Sequence, residues 1–242
     1  MKLNADIGEG FGSWRMGDDA NLMPLIDQAN IACGYHAGDA VTMQKTISLA
    51  KACNVEIGAH VSYPDLQGFG RRSMAIPKYE LVAMIQSQIA TLDGLAKCQN
   101  TKVAYVKPHG ALYNDMMSNN EIMETVFEAV SGFYQPLQLM VQGLTDNIMA
   151  ESLSRKYHVS ILFEAFSDRA YQDNGLLVSR QKPHAVLTQK DAFEHCKSLI
   201  QNHTVISENK VSLSLTANTL CVHGDNADSF MLCKQLREWL SK

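Results

Sequence analysis

The chain has 242 residues, 46% of them hydrophobic, which is ample for a sizeable buried core in one large α/β domain or two small ones. Its formal net charge is −4, from 21 Lys+Arg against 25 Asp+Glu with no block of like charges, so it lacks the basic face of a nucleic-acid binder and the charged helix of a membrane-surface protein. The start, MKLNADIGEGFG, has no apolar stretch ahead of Asp6 and Glu9, and no apolar run approaches the ~20 residues that span a bilayer. Six scattered cysteines without a CxxC pair read as reduced thiols, and the expected compartment is the cytoplasm.

In chain order, Leu3 to Ile7 reads as a strand ending at Gly8, and Ala29 to Cys33 as a second ending at Gly34. A helix is predicted from about Asp39 to Ala52, a strand from Val55 to Ala59, and a Gly- and Pro-rich loop from Tyr63 to Pro77. Pro77 suits a first helical position, and Leu81, Val82, Ile85, Ile89 and Leu92 follow at helical spacing. Val103 to Val106 forms the fourth strand; Ser118 with Glu121 resembles a capping box opening a helix to about Phe133. Strands at Leu137–Val141 and Val159–Phe163 flank a helix from about Thr145 to Tyr157. An extra hairpin or long loop is expected between Glu164 and Pro183. Thr188 caps a helix reaching about Gln201, Leu220 to Val222 is the last strand, and an amphipathic helix with Phe230, Leu232, Cys233, Leu236, Trp239 and Leu240 closes the chain.

These are seven strand-then-helix units without a linker, so 1–242 is expected to form a single domain. Alternating β and α elements imply a parallel sheet, closed as a barrel or open and doubly wound. In a barrel, chemistry sits on the loops that follow the strands. The strand ends lead into Asp6 and Glu9, His36 and Asp39, His60, Lys107 and His109, then Glu164 with Asp168 and Arg169, and finally His223 and Asp225; the fifth strand offers Gln142. Four of the eight histidines occupy such positions, whereas scattering would place few there. A lone histidine beside a strand is usually structural, and Asp6 or Asp39 would serve equally as a helix cap; convergence on one rim favours a shared site.

Particular chemistries are tested by spacing. No Walker phosphate loop, complete GxGxxG or GxSxG elbow occurs. Cys33 lies near His36, but a buried strand thiol is the simpler reading. Asp6, His36 and His60 make a facial set of metal ligands from successive strands, leaving positions for water. Arg71 and Arg72, on a glycine-rich loop, suit bidentate binding of a carboxylate or phosphate.

The segments LNADIGEGFG, NIACGYHAGD, IGAHVSYPDLQGFGRR, VKPHGALYN, EAFSDRAY and CVHGDN, taken in order from Leu3 to Asn226, resemble the LamB/YcsF family. The resemblance implies a seven-stranded parallel βα barrel of the TIM-like kind, similar to the sugar deacetylase superfamily. It implies a part in ATP-dependent conversion of 5-oxoproline to L-glutamate by a 5-oxoprolinase, this chain supplying the A component and working with subunits B and C. The site residues it implies are Asp6, Glu9, His36, His60, Lys107, His109, Glu164, Arg169 and His223. Ala40 and Val61 stand where proline is frequent in the family, and neither departure removes a reactive group.

Opening a five-membered lactam in water is uphill near neutral pH, so ATP is expected to activate the lactam oxygen. The site then needs a base (Asp6 or Glu9), charge stabilisers (His36, His60, Lys107) and a carboxylate clamp (Arg71, Arg72 or Arg169). No motif says whether this chain or its partners hold the ATP. Two other readings stay open: a metal-dependent deacetylase or amidohydrolase acting alone, and a non-catalytic component that binds substrate or holds its partners together.

Overall fold

The computed structural model describes residues 1–180, 182–222 and 227–240. Its strands are β1 (Lys2–Ile7), β2 (Gln28–Ala32), β3 (Glu56–Val61), β4 (Val103–Pro108), β5 (Gln138–Gln142), β6 (Ile161–Phe166), β7 (Thr204–Ile206), β8 (Ser212–Ser214) and β9 (Thr219–Cys221). Its helices are α1 (Asp19–Leu22), α2 (Ala40–Ala52), α3 (Lys78–Cys98), α4 (Gly110–Ser118), α5 (Asn120–Ser131), α6 (Ile148–Tyr157), α7 (Gln189–Asn202) and α8 (Ala227–Leu240). Seven strands close a barrel in the order β1-β2-β3-β4-β5-β6-β9, every neighbouring pair parallel, with β9 pairing to both β6 and β1. The expected α/β barrel is therefore the fold, and the open doubly wound alternative is not. No helix among the described residues is long and apolar enough to cross a membrane.

The strands alternate with period two, and their inward face is unusually polar. Register places Asn4, Asp6, Asn30, His60, Tyr105, Lys107, Gln142, Glu164, Thr219 and Cys221 on the inner face. The outer face carries Leu3, Ala5, Ile7, Ile31, Ala59, Val61, Val106, Leu139, Val141 and Leu220, all buried beneath the helices. Most of the apolar core therefore lies between barrel and helices. The interior is held by hydrogen bonds that cross it: Tyr105 Oη donates to Asn30 Oδ1 (2.7 Å), Asn30 Nδ2 to Asn4 Oδ1 (2.8 Å), and Asn4 Nδ2 to Thr219 Oγ1 (3.0 Å). Buried amides are tolerated because they satisfy one another.

Several boundaries differ from the sequence reading. Ser118 ends α4 rather than opening a helix; Asn119 is the cap of α5, its side chain accepting from the Glu121 and Ile122 N–H groups. Pro77 is the residue before α3 rather than its first member. Thr188 caps α7 as expected, accepting from Asp191 N–H. The irregular stretch after β6 contains short bridges, Arg169 with Val186 and Tyr171 with Leu177, around a small cluster of Ala170, Val178 and Ala185. The β7–β8 hairpin, three residues per strand, has no counterpart in the sequence reading.

Gly58 marks a very close approach inside the barrel. A Cβ there would fall 2.1 Å from the Tyr105 ring, which crosses the barrel towards Asn30. We expect Gly58→Ala to cost on the order of 2–3 kcal/mol by overpacking, read as a lower denaturant midpoint. Combined with Tyr105→Ala, the loss should be clearly less than the sum of the two single changes.

Candidate active site

The ends of β1, β2, β3 and β4 and the loops after them bring the expected groups to the floor of a cavity of about 570 Å³, whose lining includes Asp6, Glu9, His60, Lys107 and His109. Two polar clusters meet there. The first centres on Lys107, whose Nζ lies 2.9 Å from Asp6 Oδ1 and 3.3 Å from both Asn4 Oδ1 and Cys221 Sγ. It also lies 2.8 Å from Glu164 Oε1, as an ion pair off the angle of a hydrogen bond. Asn30 Nδ2 donates to Asp6 Oδ1 (2.8 Å), and Tyr113 Oη to Glu164 Oε2 (2.9 Å). Burial by itself favours the neutral amine of Lys107, but Asp6, Cys221 and Glu164 together hold the ammonium well above its ordinary range.

The second cluster is built of imidazoles. The His36 and His109 rings stack with centroids 3.8 Å apart, and His60 meets both edge-on. Glu9 Oε1 lies 3.2 Å from His36 Nε2, 3.5 Å from His109 Nδ1 and 4.0 Å from His60 Nε2. His60 Nε2 joins the two clusters, 3.3 Å from Asp6 Oδ2. Burial, and then neighbouring imidazoles, keep the His36 and His109 pKa values well below the usual range, so both rings are neutral at neutral pH. Burial pushes the Glu9 carboxyl up. Gly70 supports this arrangement: with φ +64°, it would place a Cβ 2.7 Å from His109 Cδ2 and 2.8 Å from His36 Cβ.

A family model for the LamB/YcsF family matches residues 1–242. The chain belongs to the LamB/YcsF family. Among its relatives, the 5-oxoprolinase A component of Pseudomonas fluorescens is 49% identical, the match covering 100% of this chain and 97% of that protein. The protein of the same name from Vibrio parahaemolyticus is 44% identical, over 99% and 95%. The crystal structure of the lactam utilization protein from Thermus thermophilus superposes with a TM-score of 0.91 at 34% identity, covering 100% of this chain and 96% of that one. A cellobiose-phosphate cleavage protein structure from Enterococcus faecalis, described as putative, shares the fold at 11% identity and TM-score 0.54.

For this LamB/YcsF chain, Asp6, Glu9, His36, His60, Lys107, His109 and Glu164 come together as expected. Arg71 and Arg169 line the cavity wall. Arg169 is buried, donating from Nε to Ala185 O and from Nη2 to Val178 O, and burial lowers its pKa to about 10. Arg72 must be corrected. Its guanidinium turns away to Asp65 and is largely exposed, so of the adjacent arginines only Arg71 faces the cavity. Asp39 is a helix cap, accepting from Thr42 and Gly12 N–H groups. Cys33 is a buried thiol pushed up to about 12 by burial. His223 and Asp225 lie outside the described residues.

The expected metal set also needs revision. Asp6 Oδ1 is already engaged by Lys107 and Asn30, whereas Glu9, His36, His60 and His109 offer ligand atoms that all lie within 4.8 Å of one another. Glu9 and His109 therefore fit a metal site better than Asp6. Tyr113 was missed, although it stands one helical turn beyond His109; so were Asn4 and Asn30, whose alternation with Asp6 and Ala32 was the available signal.

Asp19 lies on the cavity wall and accepts from Gly8 N–H (3.0 Å). Burial raises its carboxyl from 3.8 to about 6. The folded state then binds this proton more tightly than the unfolded chain, so stability falls as pH rises from about 4 to about 6 and stays reduced above that. Asp19→Asn keeps an acceptor for Gly8 and removes the charge. We expect it to flatten that part of the stability–pH profile and to raise stability at neutral pH by on the order of 2 kcal/mol, measured by denaturant titration across the range.

Proposed function

We propose that this chain is the A component of an ATP-dependent 5-oxoprolinase, working with subunits B and C to convert 5-oxoproline to L-glutamate. The observation that carries the reading is the meeting of a buried ammonium–carboxylate core with an imidazole cluster on the floor of one cavity. Membership of the family, and relatives named for 5-oxoprolinase and lactam utilization, support the substrate class.

The chemistry asked of the site follows from the lactam. ATP activates the lactam oxygen by phosphorylation. Water then adds to the ring carbon and gives up a proton, the C–N bond breaks, and the nitrogen leaves as an amine after taking a proton. A second water releases phosphate, so that ATP and two waters yield glutamate, ADP and phosphate. Asp6 is the base: Lys107 and Asn30 tie down Oδ1, while Oδ2, beside His60, accepts the proton. Lys107 supplies positive charge for the developing oxyanion. Arg71, on the wall, clamps the substrate carboxylate, and Arg169 braces the segment beside it. The nucleotide is bound by this chain or by subunits B and C.

A divalent metal held by Glu9 and the three imidazoles would add Lewis-acid polarisation of a carbonyl. That cluster also favours one alternative, a metal-dependent amidohydrolase working alone. A glutamate-release assay with this chain alone, and then with both partners, separates the two: the proposal expects turnover only with partners and ATP, and ATP-independent turnover by the single chain would sink it. Within the reconstituted complex, Asp6→Asn and Lys107→Met should each lower turnover at least ~100-fold while circular dichroism stays native-like. Full turnover in both variants would refute the role assignments.

A further inference from the structure

Two main-chain carbonyls decide where the protons of the imidazole cluster sit. His60 Nδ1 lies 2.9 Å from Lys107 O, and His109 Nε2 lies 2.9 Å from Phe69 O. A carbonyl only accepts, so each of those nitrogens carries its ring's N–H. The remaining nitrogens, His60 Nε2 and His109 Nδ1, are 2.9 Å apart and face each other. In neutral rings both are lone pairs, and two lone pairs at that distance repel unless a positive centre lies against them.

The surroundings ask for the same thing. Glu9 Oε1 adds an acceptor near both nitrogens and near His36 Nε2. The floor carries the carboxylates of Asp6, Glu9 and Glu164; the Lys107 ammonium pairs with Asp6 and Glu164, and the Arg71 guanidinium on the wall acts on Glu9.

We propose that Glu9, His36, His60 and His109 bind one divalent first-row transition metal ion of the zinc type. The distances suit it: a tetrahedral ion with bonds of 2.0–2.1 Å has ligand–ligand edges of roughly 3.4 Å. The separations between His60 and His109 and from Glu9 to the three imidazoles run from 2.9 to 4.0 Å around that value, and all four ligand atoms lie within 4.8 Å of one another. Three imidazoles and one carboxylate select such an ion over magnesium or calcium, which take oxygen ligands. The carbonyls of Lys107 and Phe69 do what outer partners of metal-bound histidines do, fixing tautomer and ring orientation before the ion arrives. Asp6 stays outside the ligand set, beside His60, as a positioning and proton-accepting group.

The inference concerns the site proposed for lactam opening, but its test needs no turnover. The full-length chain is stripped with a chelator and titrated with Co²⁺, followed by the visible ligand-field absorption, and then challenged with Zn²⁺. One equivalent of Co²⁺ should bind with the spectrum of a low-coordinate site, and Zn²⁺ should displace it. Glu9→Gln, nearly isosteric, and His109→Ala should each weaken binding at least ~100-fold, beyond what outer partners usually contribute. Asp6→Asn should change it less than ~10-fold, and Arg72→Ala not at all. ¹⁵N NMR of the metal-free chain should show Nδ1–H on His60 and Nε2–H on His109. Absence of stoichiometric binding, or binding that survives Glu9→Gln and His109→Ala, overturns the proposal; so does a proton on His60 Nε2 that persists when Co²⁺ is added. An active reconstituted complex free of metal defeats this inference and leaves the 5-oxoprolinase reading standing, whereas tight metal binding without ATP-linked glutamate release does the reverse.

Discussion

Lys107 brings a full positive charge into a barrel interior from which it is only marginally accessible to solvent. An ammonium in such a place costs several kcal/mol in lost hydration, and it is kept only if the surrounding strands answer it. They do so from across the barrel: Asp6 and Asn4 from β1, Glu164 from β6 and Cys221 from β9. Each carboxylate in turn depends on further donors, Asn30 for Asp6 and Tyr113 for Glu164. The charge therefore ties together strands that do not neighbour β4, and it dictates polar residues where barrels of this class more often pack branched apolar side chains.

Much of this was legible in the sequence because strand ends are positional. A closed parallel barrel points the residues after each strand at one rim, so the histidines of HAGD, AHVS and KPHG could be gathered without knowing any distance. What the sequence did not disclose were side-chain directions. Arg71 and Arg72 are chemically alike and adjacent, and only the turn held by Asp65 separates the one on the cavity wall from the one turned to solvent. Asp6 looked like a metal ligand because nothing in a linear pattern reveals that Lys107, a hundred residues on, would claim its oxygen. Helix α4 escaped notice because it begins at a glycine with φ +55° directly after His109 and lacks a side-chain cap. Ser118 then seemed to start a helix that Asn119 starts.

The two clusters on the cavity floor are coupled through one residue and one irregularity. Lys107 uses its side chain to hold Asp6 and its main-chain carbonyl to set the tautomer of His60, so the ammonium core and the imidazole cluster share a single anchor. That sharing requires His60 and Lys107 to stand opposite each other on β3 and β4, both facing inwards, as they do. The pairing of these strands shifts between Ile57 and Gly58: Ile57 is opposite Val103, but Gly58 is opposite Tyr105, leaving Ala104 as the extra residue of a bulge. Without that residue, the register set by Ile57 would place Val106, not Lys107, opposite His60. A one-residue slip turns every side chain to the other face, so Lys107 would point at the helices and Val106 into the cavity. Gly58 lies where the shift occurs and leaves the room into which the Tyr105 ring turns. The small residue, the bulge and the crossing tyrosine thus form one device, and its consequence two residues further along is the position of the charge on which the site is built.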